Sequence, residues 1–379
     1  MMFRRLTIGL RFSQREAWVG GLYYVRNLVK AFALLPPGRR PRLVLIGADK
    51  VALAELKAAT GYDELTRISR TRIARAPPRR LPFAAARDRD IDLILLDAPP
   101  GLEDRAVLWI PDLQEHAFPQ FFAAEELEAR LRRAEARLAG GRHVMVSSED
   151  VAEGVARIYG RLGPVVHVVR FASFFDPPAD LAGTRARYGV PERYLICSNQ
   201  VWKHKNHPLV LRALAELQPG GPPMVFTGQE EEPRDPAYPA VVWSLAAELG
   251  LEDRVLRLGF LPRQDQLALM AGAVAVVQPS LSEGWSTVVE DAKALGRPVI
   301  ASDIPVHREQ LGARGAYFPP TDHRALARLI ERAAAHPPKP LGLDYEAARR
   351  RFARDLWRMA LAVDKDLRRR RVPRLVIGG

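Results

Sequence analysis

Short runs of apolar residues recur along the whole chain, separated by segments with helical periodicity. Most of these runs are rich in β-branched residues and end in Gly, Ser, Asp, Asn or Pro. Nearly continuous apolar runs are typical of strands buried on both faces, so they predict parallel sheets covered by helices. Six runs lie in the first half of the chain and six in the second: LTIGLRF, RLVLIGAD, DLILLDA, AVLWIPD, HVMVSS and PVVHVVRF, then YLICSN, MVFTG, VLRLGF, AVAVVQPS, PVIASD and AYFPP.

Twelve strands are more than one sheet holds comfortably, so the pattern predicts an α/β protein with two doubly wound parallel sheets. The boundary is expected in RFASFFDPPADLAG, residues 170–183, where prolines and small residues interrupt the alternation. We therefore predict a first Rossmann-like domain over 1–172 and a second over 173–344.

The last segment, 345–379, is predicted to be a long helix with a basic end. Four apolar residues at spacings of four, three and four form one stripe: Phe352, Leu356, Met359 and Val363. Arg368 to Arg371 then form a charge run beside the negative end of the helix dipole.

Composition limits the classes of function. The single cysteine, Cys197, excludes a disulfide framework and is expected to be a small buried residue. The N-terminal MMFRRLTIGLRF lacks the apolar core of a signal peptide, and no apolar stretch approaches the length of a membrane span. We therefore expect a cytoplasmic protein, with a peripheral position at the inner face of the membrane left open. The net charge of +13 fits either a generally basic surface or attraction to polyanions.

A candidate ligand site follows the run AVAVVQPS. Glu283 and Gly284 lie in the loop after this strand, and ligands of open parallel sheets bind beyond the carboxyl ends of strands. A helix is predicted to begin near Ser286 or Thr287, both good capping residues. Its first amides favour a bound diphosphate.

Two adjacent acids follow in this helix. Asp291 lies four residues after Thr287 and therefore shares its face, whereas Glu290 follows Ser286 and points elsewhere. A ligand with its phosphates at Thr287 would place sugar hydroxyls against Asp291. This spacing favours Asp291 over Glu290 but does not exclude Glu290.

The segment PSLSEGWSTVVEDAKALGRPVIASDIPVHRE resembles the donor-site signature of the GT-B glycosyltransferases of family 4, the glycosyl transferases group 1. Their pattern is a Glu, seven residues, and a second Glu. The resemblance implies that Glu283 contacts the transferred sugar and that Asp291, or else Glu290, holds the ribose hydroxyls. It also implies a GT-B fold, with two Rossmann-like domains facing a cleft and a C-terminal helix that crosses back onto the first domain.

Other parts of the second half resemble the same family. YLICSNQVWKHKNH is similar to the strand, loop and helix in which the family has an Arg and, five residues on, a Lys, both gripping the diphosphate. Lys205 matches the Lys, but Gln200 stands at the Arg position and Lys203 is a candidate to compensate. The family also implies backbone and apolar contacts with the nucleotide from residues at two strand exits: Gly228, Gly259, Phe260 and Leu261.

In the first half, Gly20 and Gly21 are expected before a helix, in a loop that faces the phosphates and acceptor in the family. Trp18 beside them either stacks on a sugar or packs in the core. WIPDLQEHAFPQFF is similar to the family segment that brings a His close to the donor sugar. His116 is the candidate, with Asp112 and Glu115 as neighbours that also suit the position.

Other motifs carry less weight. Asp88 and Asp90 match the DxD of metal-dependent glycosyltransferases but lie among arginines before a strand, so no metal site is predicted. The chain lacks GxGxxG, GxxxxGK[ST] and GxSxG motifs. No nucleic-acid motif accompanies the basic charge, so nucleic acid is not an expected partner.

The resemblance implies a retaining, metal-independent hexosyltransferase. It would use a GDP-, UDP- or dTDP-sugar as donor substrate, with no other cofactor, and a glycan, lipid-linked or other hydroxyl acceptor, in polysaccharide or glycoconjugate biosynthesis. The basic segment 67–89 suggests contact with an anionic membrane, although it also suits a plain basic loop. The alternative is a catalytically degenerate protein that binds nucleotide sugars as a sensor or subunit, which Gln200 and the shorter Asp291 favour.

Overall fold

All twelve predicted strands are present in a computed structural model of the chain, in two parallel sheets. The structure describes residues 5–11, 19–68, 73–75, 90–97, 99, 101–217, 221–370, 372 and 375–377. The strands are β1 (Thr7–Arg11), β2 (Arg42–Ile46), β3 (Leu65–Ile68), β4 (Ile73–Arg75), β5 (Asp90–Ile91), β6 (Leu93–Leu96), β7 (Ala106–Trp109), β8 (His143–Val146), β9 (Val165–Val168), β10 (Leu195–Ser198), β11 (Met224–Thr227), β12 (Val255–Gly259), β13 (Val276–Gln278), β14 (Val299–Ser302), β15 (Ala316–Phe318) and β16 (Leu375–Ile377).

Helices alternate with these strands as the periodicity predicts. They are α1 (Val19–Ala33), α2 (Lys50–Thr60), α3 (Gln114–Ala117), α4 (Ala124–Gly140), α5 (Glu149–Tyr159), α6 (Leu181–Tyr188), α7 (His207–Ala215), α8 (Tyr238–Glu248), α9 (Arg263–Gly272), α10 (Thr287–Ala294), α11 (Pro305–Leu311), α12 (His323–Ala335) and α13 (Tyr345–Arg369).

The chain forms two units. Unit 1 comprises Met1–Leu113, Glu128–Phe174 and Glu346–Gly379; unit 2 comprises Gln114–Leu127 and Phe175–Tyr345. The chain therefore passes between the units four times. The passage between Phe174 and Phe175 lies inside the stretch in which the sequence suggests a boundary. The two passages that flank residues 114–127 do not follow from the sequence, which places these residues in the first domain.

Unit 1 is built on a seven-stranded parallel sheet in the order β3-β2-β1-β6-β7-β8-β9. The edge strand β3 was missed, because Thr66 and Arg67 are exposed between buried Leu65 and Ile68 and interrupt the apolar run. A small antiparallel sheet, β4-β16-β5, joins the C-terminal strand to two strands of the first half.

The stripe on α13 is buried as predicted. Phe352, Leu356, Met359 and Val363 are at most 3% exposed. Within unit 1, the helix contacts the sheet through His143 on β8, whose Nε2 lies 3.0 Å from Asp366 Oδ2. Where the chain continues beyond the helix, the carbonyl of Val372 accepts a hydrogen bond from buried Arg105.

Unit 2 is built on a six-stranded parallel sheet in the order β12-β11-β10-β13-β14-β15. Both faces are buried: Leu195 and Cys197 on β10 point into one apolar cluster, whereas Ile196 between them points into another. Cys197 is a core residue, and burial raises the pKa of its thiol to about 12. The predicted burial on both faces is confirmed for the four inner strands, β10, β11, β13 and β14. The edge strands β12 and β15 are only partly buried.

Candidate active site

The candidate donor site lies at the carboxyl ends of β10 and β13. These strands are neighbours in the sheet, although β11 and β12, which lie between them in sequence, are placed on the other side of β10. The strand order therefore reverses between β10 and β13, and such a switch point is where open α/β sheets bind ligands. Lys205 follows β10 and Glu283 follows β13.

Lys205 and Glu283 form a buried ion pair. Lys205 Nζ lies 2.6 Å from Glu283 Oε1, and the two side chains are 16% and 9% exposed. The same oxygen accepts hydrogen bonds from Gln278 Nε2 at 2.8 Å and Ser280 Oγ at 2.7 Å. The carboxylate is therefore held in one orientation by groups from two strand exits.

The electrostatic surroundings keep Glu283 ionised. Burial by itself raises the pKa of a carboxyl group, but the charge of Lys205, to which its hydrogen bond adds, leads the opposing effects, which lower the pKa of Glu283 to about 2. Burial also lowers the pKa of the neighbouring His204 and His307, so their rings are neutral near pH 7. His307 Nδ1 lies 2.9 Å from the carbonyl oxygen of Ser302, which assigns the proton to Nδ1.

A tight turn positions Lys205. Residues Lys203–Lys205 form one turn of 3₁₀ helix, and Asn206 after it adopts a left-handed conformation with φ of 55°. Its side-chain amide donates to the carbonyl oxygens of Pro279 at 3.3 Å and Pro320 at 3.0 Å. Asn206 thus ties the Lys205 turn to the loop of Glu283.

The helix after Glu283 begins where the sequence predicts. Ser286 caps α10 and accepts a hydrogen bond from the amide of Val289. Gln310 brackets the cap, because it accepts from the Ser286 amide and donates to the Ser286 carbonyl, both at 3.0 Å. Thr287 opens the first turn, in which helix amides have no intrahelical acceptor, and Gly284 lies buried just before it.

The adjacent acids of α10 point to different partners. Asp291 Oδ1 pairs with Arg263 Nη2 at 2.6 Å, and Asp291 is 1% exposed. Glu290 pairs with Lys293 at 2.7 Å and accepts from Gln310 at 3.0 Å and from Tyr345 Oη at 2.7 Å.

The spacing of Val288, Ala292 and Leu295 predicts that these residues form the buried stripe of this helix. Ala292 is fully buried as predicted, but the other two positions need a correction. Val289 is buried, whereas Val288 and Leu295 are only partly buried against the same cluster. The stripe is therefore centred one residue later than the sequence suggested, and the two buried acids take up much of the remaining surface of the helix.

The other strand exits of unit 2 carry the remaining predicted contacts. Gly228 has φ of 139°, and a Cβ there would lie 2.1 Å from the Asn199 carbonyl oxygen, so no larger residue fits. Gly259 is also left-handed, with φ of 64°. Phe260 is 59% exposed, whereas the Leu261 side chain packs in the core. A base would therefore meet the ring of Phe260 and the backbone of Leu261.

The position where the family has an arginine holds no charge. Gln200 Nε2 donates to Gln229 Oε1 at 3.2 Å. Lys203, the candidate substitute, pairs with Asp235 at 2.8 Å. Any compensation by Lys203 therefore requires that it leave this partner.

The predicted residues of the first half lie in different places. Gly20 and Gly21 belong to the first turn of α1 rather than to a loop before it. His116 lies in α3, within unit 2, and burial lowers the pKa of its imidazole. Trp18 and Asp88 lie outside the described residues, as does most of the basic segment 67–89.

Several residues of the site were not singled out from the sequence. Gln278 and Ser280 lie at the end of the run AVAVVQPS, and their position at the end of an apolar strand is the signal that could have found them. Arg263 contacts Asp291 from outside the quoted motif, and no spacing rule reveals such a pair. His307 lies inside the motif, but its spacing from Glu283 follows no helical or strand period. Among the residues that the structure describes, no group of three or more His, Cys, Asp or Glu side chains is arranged to hold a metal ion.

Sequence comparison supports the resemblance. Residues 185–350 match the family model of glycosyl transferases group 1. A D-inositol 3-phosphate glycosyltransferase of Streptomyces bingchenggensis is 30% identical over 260 residues, which are 64% of this chain and 56% of that protein. The chain thus spans little more than half the length of this relative.

Structural comparison confirms the fold. A glycosyltransferase from Rickettsia africae superposes with a TM-score of 0.63 at 15% identity, over 96% of this chain and 99% of the other. HepE of Anabaena, in complex with UDP and glucose, gives a TM-score of 0.63 at 17% identity, over 97% and 99%. The chain has the two-sheet GT-B fold, and its residues 185–350 match the family model of the group 1 glycosyl transferases.

Proposed function

We propose that this chain is a retaining glycosyltransferase of family 4. It would move a hexose or deoxyhexose from a nucleotide-diphosphate sugar to a glycan, a lipid-linked acceptor or another acceptor with a free hydroxyl group. The observation that carries the proposal is the buried Lys205–Glu283 pair at the switch point of the unit 2 sheet, next to the capped start of α10. A buried carboxylate with three donors on one oxygen suits a sugar-binding group, because its position is fixed before substrate arrives.

Each group has a distinct part in this proposal. Glu283 binds hydroxyls of the transferred sugar. Lys205 and the first amides of α10, near Ser286 and Thr287, receive the charge of the leaving diphosphate. Asp291 contacts the ribose, and Phe260 with Gly259 lines the base. His116 lies close to the transferred sugar.

The reaction requires no covalent intermediate with the protein. The acceptor oxygen attacks the anomeric carbon on the face from which the diphosphate leaves, so the configuration is retained. The C–O bond to the β-phosphate breaks as the new glycosidic bond forms, and the acceptor proton passes to the departing phosphate oxygen. By analogy, the removal of one preorganised donor from an oxyanion hole costs about 2.7–4 kcal/mol.

UDP-sugars are the first donors to test. HepE, which shares the fold, binds UDP and UDP-glucose. The relative named for transfer to D-inositol 3-phosphate supports a polyhydroxyl acceptor that carries a phosphate. The nucleotide, the sugar and the acceptor are all parts of the proposal, which extends to GDP- and dTDP-sugars.

Contact with an anionic membrane also belongs to the proposal. In the charge run at the end of α13, the side chains of Arg368 and Arg370 are 48% and 43% exposed, although each also pairs with an aspartate. No helix in the described part of the chain is long and apolar enough to cross a bilayer.

The proposal is tested with Glu283→Gln, which keeps the size and the hydrogen-bonding shape of the side chain. Wild type should release nucleotide from one of a panel of UDP-, GDP- and dTDP-sugars and transfer the sugar to an acceptor. Glu283→Gln should lose transfer and keep a cooperative thermal transition. Glu230→Gln is the matched control, because Glu230 pairs with Arg257 at the surface of the same unit. Near-normal turnover by a folded Glu283→Gln would overturn the donor-site assignment.

A further inference from the structure

Residues 114–127 lie in unit 2, whereas the chain on both sides of them lies in unit 1. This segment contains α3, with His116, and the first residues of α4. Its place in unit 2 must be maintained by contacts with that unit. Arg234 of unit 2 makes such contacts with residues 114–127.

Arg234 contacts both ends of the segment. Its Nη1 donates to Gln114 Oε1 at 2.7 Å. Its guanidinium also lies over the ring of Phe122, with Cζ 4.8 Å from the ring centroid. Gln114 and Phe122 are both buried. One side chain thus fixes the start of α3 and the residue that precedes the entry into α4.

Arg234 is itself held rigidly. Its Nε donates to Glu232 Oε1 at 2.9 Å, and its Nη2 donates to Glu232 Oε2 at 3.3 Å. Glu232 is 2% exposed. The ring of Trp202 lies on the guanidinium as well, with Cζ 5.5 Å from its centroid. Such a bidentate ion pair fixes the plane of the guanidinium group as well as its position.

The same carboxylate reaches the Lys205 turn. Glu232 Oε2 accepts a hydrogen bond from the backbone amide of Lys203 at 3.4 Å, and Lys203 begins the 3₁₀ turn that ends at Lys205. Arg234 therefore connects the segment of His116 with the turn of Lys205 through one buried carboxylate. A displacement of about 1 Å at a reacting group can cost about a hundredfold in rate.

We propose that Arg234 is a positioning residue, which fixes residues 114–127, and with them His116, on the unit that carries Lys205 and Glu283. The role of His116 rests on the proposed function; the anchoring of the segment does not. Lysine cannot replace Arg234, because an ammonium group cannot bond Glu232 at two points and Gln114 at a third with fixed geometry.

Arg234→Lys and Gln114→Leu test the proposal together. Arg234→Lys keeps the charge beside buried Glu232, and Gln114→Leu leaves the Arg234–Glu232 pair intact, so neither leaves a buried carboxylate without a cation. The control is Arg257→Lys, because Arg257 also pairs with a glutamate and lies over a tryptophan, in the same unit but away from residues 114–127.

Both test variants should lower kcat by about tenfold to a hundredfold, with KM for the donor changed much less. Arg257→Lys should stay close to wild type. In a His116→Gln background, Arg234→Lys should have little further effect on kcat. If Arg234 had a purely structural role, the double variant would lose kcat by the product of the two single-variant factors. That result would overturn the proposal. A His116→Gln variant with wild-type kcat would overturn it as well.

Hydrogen exchange gives a readout that does not depend on activity. The amides of Phe118, Phe121 and Phe122 donate to carbonyl oxygens within the segment, at 2.8, 3.0 and 3.1 Å. They should exchange faster in Arg234→Lys and Gln114→Leu, and at the wild-type rate in Arg257→Lys. Unchanged exchange in both test variants would overturn the anchoring even if no donor were found for the wild type. If the wild type transfers no sugar and these amides still exchange faster in the two test variants, the anchoring is supported and only the proposed function is contradicted.

Discussion

Lys205→Met removes the cation that faces the buried carboxylate of Glu283. Methionine retains an unbranched apolar stem, so the substitution mainly deletes the charge. The oxygen that Lys205 contacts keeps its hydrogen bonds from Gln278 and Ser280. Neutral donors replace a full positive charge poorly, so we expect a loss of stability as well as of activity.

Two lines of reasoning give the same magnitude. Removing one partner of a buried ion pair typically costs about 3–5 kcal/mol. The pKa of Glu283 is lowered from 4.5 to about 2 against the opposing effect of burial. At about 1.4 kcal/mol for each tenfold change in the acid constant, this lowering is worth about 3 kcal/mol. Lys205→Met should therefore reduce the free energy of unfolding by about 3 kcal/mol at pH 7.

The pH dependence has a definite sign. Because the pKa of Glu283 is lower in the folded than in the unfolded protein, ionised Glu283 contributes stability above pH 4.5, and this contribution is lost as the pH falls towards 2. Among the groups that lower this pKa, Lys205 has the largest effect. The difference in stability between wild type and Lys205→Met should therefore shrink over the same pH window.

The assay is urea unfolding followed by tryptophan fluorescence, at pH 7 and near pH 3. The control is Arg308→Met, which breaks a pair with Asp303 whose side chains are 54% and 40% exposed. An exposed pair contributes about 0.2–1 kcal/mol, so this variant should change little. A Lys205→Met protein with the wild-type midpoint at pH 7, or with the same loss at both pH values, would refute the reasoning.

Three further predictions address the nucleotide, metal ions and the C-terminal helix. Asp291→Asn should weaken binding of the cognate nucleotide diphosphate, measured by calorimetry, more than Glu290→Gln does; the reverse order would make Glu290 the nucleotide-binding acid. Activity should persist in EDTA, because Lys205 and helix amides supply the positive charge, and a loss that Mg²⁺ or Mn²⁺ restores would contradict this. Truncation before Tyr345 removes four buried apolar side chains worth roughly 1.5–3 kcal/mol each, so the product should aggregate or melt earlier. A monodisperse product with an unchanged melting temperature would argue against this packing.

The strands of the core could be predicted because burial on both faces leaves an unmistakable apolar run. In unit 2, Leu195, Ile196 and Cys197 point alternately into two clusters, and all three positions are apolar. In the described part of the chain, the edge strand β3 pairs with β2 alone. Its two middle residues, Thr66 and Arg67, are exposed and polar, so the apolar run that would reveal a strand is interrupted. The start of α10 could also be predicted from the sequence. Its cap is a local hydrogen bond between Ser286 and the amide of Val289, three residues later, and such bonds follow from sequence spacing.

Long-range polar contacts could not be predicted. Arg263 and Asp291 are 28 positions apart, and Arg234 and Gln114 are 120 apart. No periodicity relates such residues; they meet because the sheet order brings their loops together. The assignment of residues 114–127 to unit 2 was missed for the same reason, since its contacts with Arg234 are all non-local. Sequence reasoning found the acids of the site but not the arginines that neutralise and position their surroundings.

The adjacent acids of α10 can now be distinguished by what each would have to give up. A buried carboxylate is tolerated only with partners for its oxygens, and leaving one unpaired is costly. Both oxygens of Glu290 are engaged, Oε1 by Lys293 and Gln310 and Oε2 by Tyr345. Its partners tie α10 to α11 and to the residue at which the chain leaves unit 2.

A ribose that bound Glu290 would have to displace one of these hydrogen-bond partners, and with it a contact that joins α10 to α11 or to Tyr345. Asp291 instead faces Arg263 at the start of α9, just after the Gly259 and Phe260 strand exit, which is where the nucleotide is proposed to lie. Its bond to Arg263 uses Oδ1, and an arginine at the edge of that exit can keep this bond while hydroxyl groups approach. The chemistry of burial therefore favours Glu290 as a framework residue of unit 2 and Asp291 as the proposed acid for the nucleotide, in agreement with the helical phase.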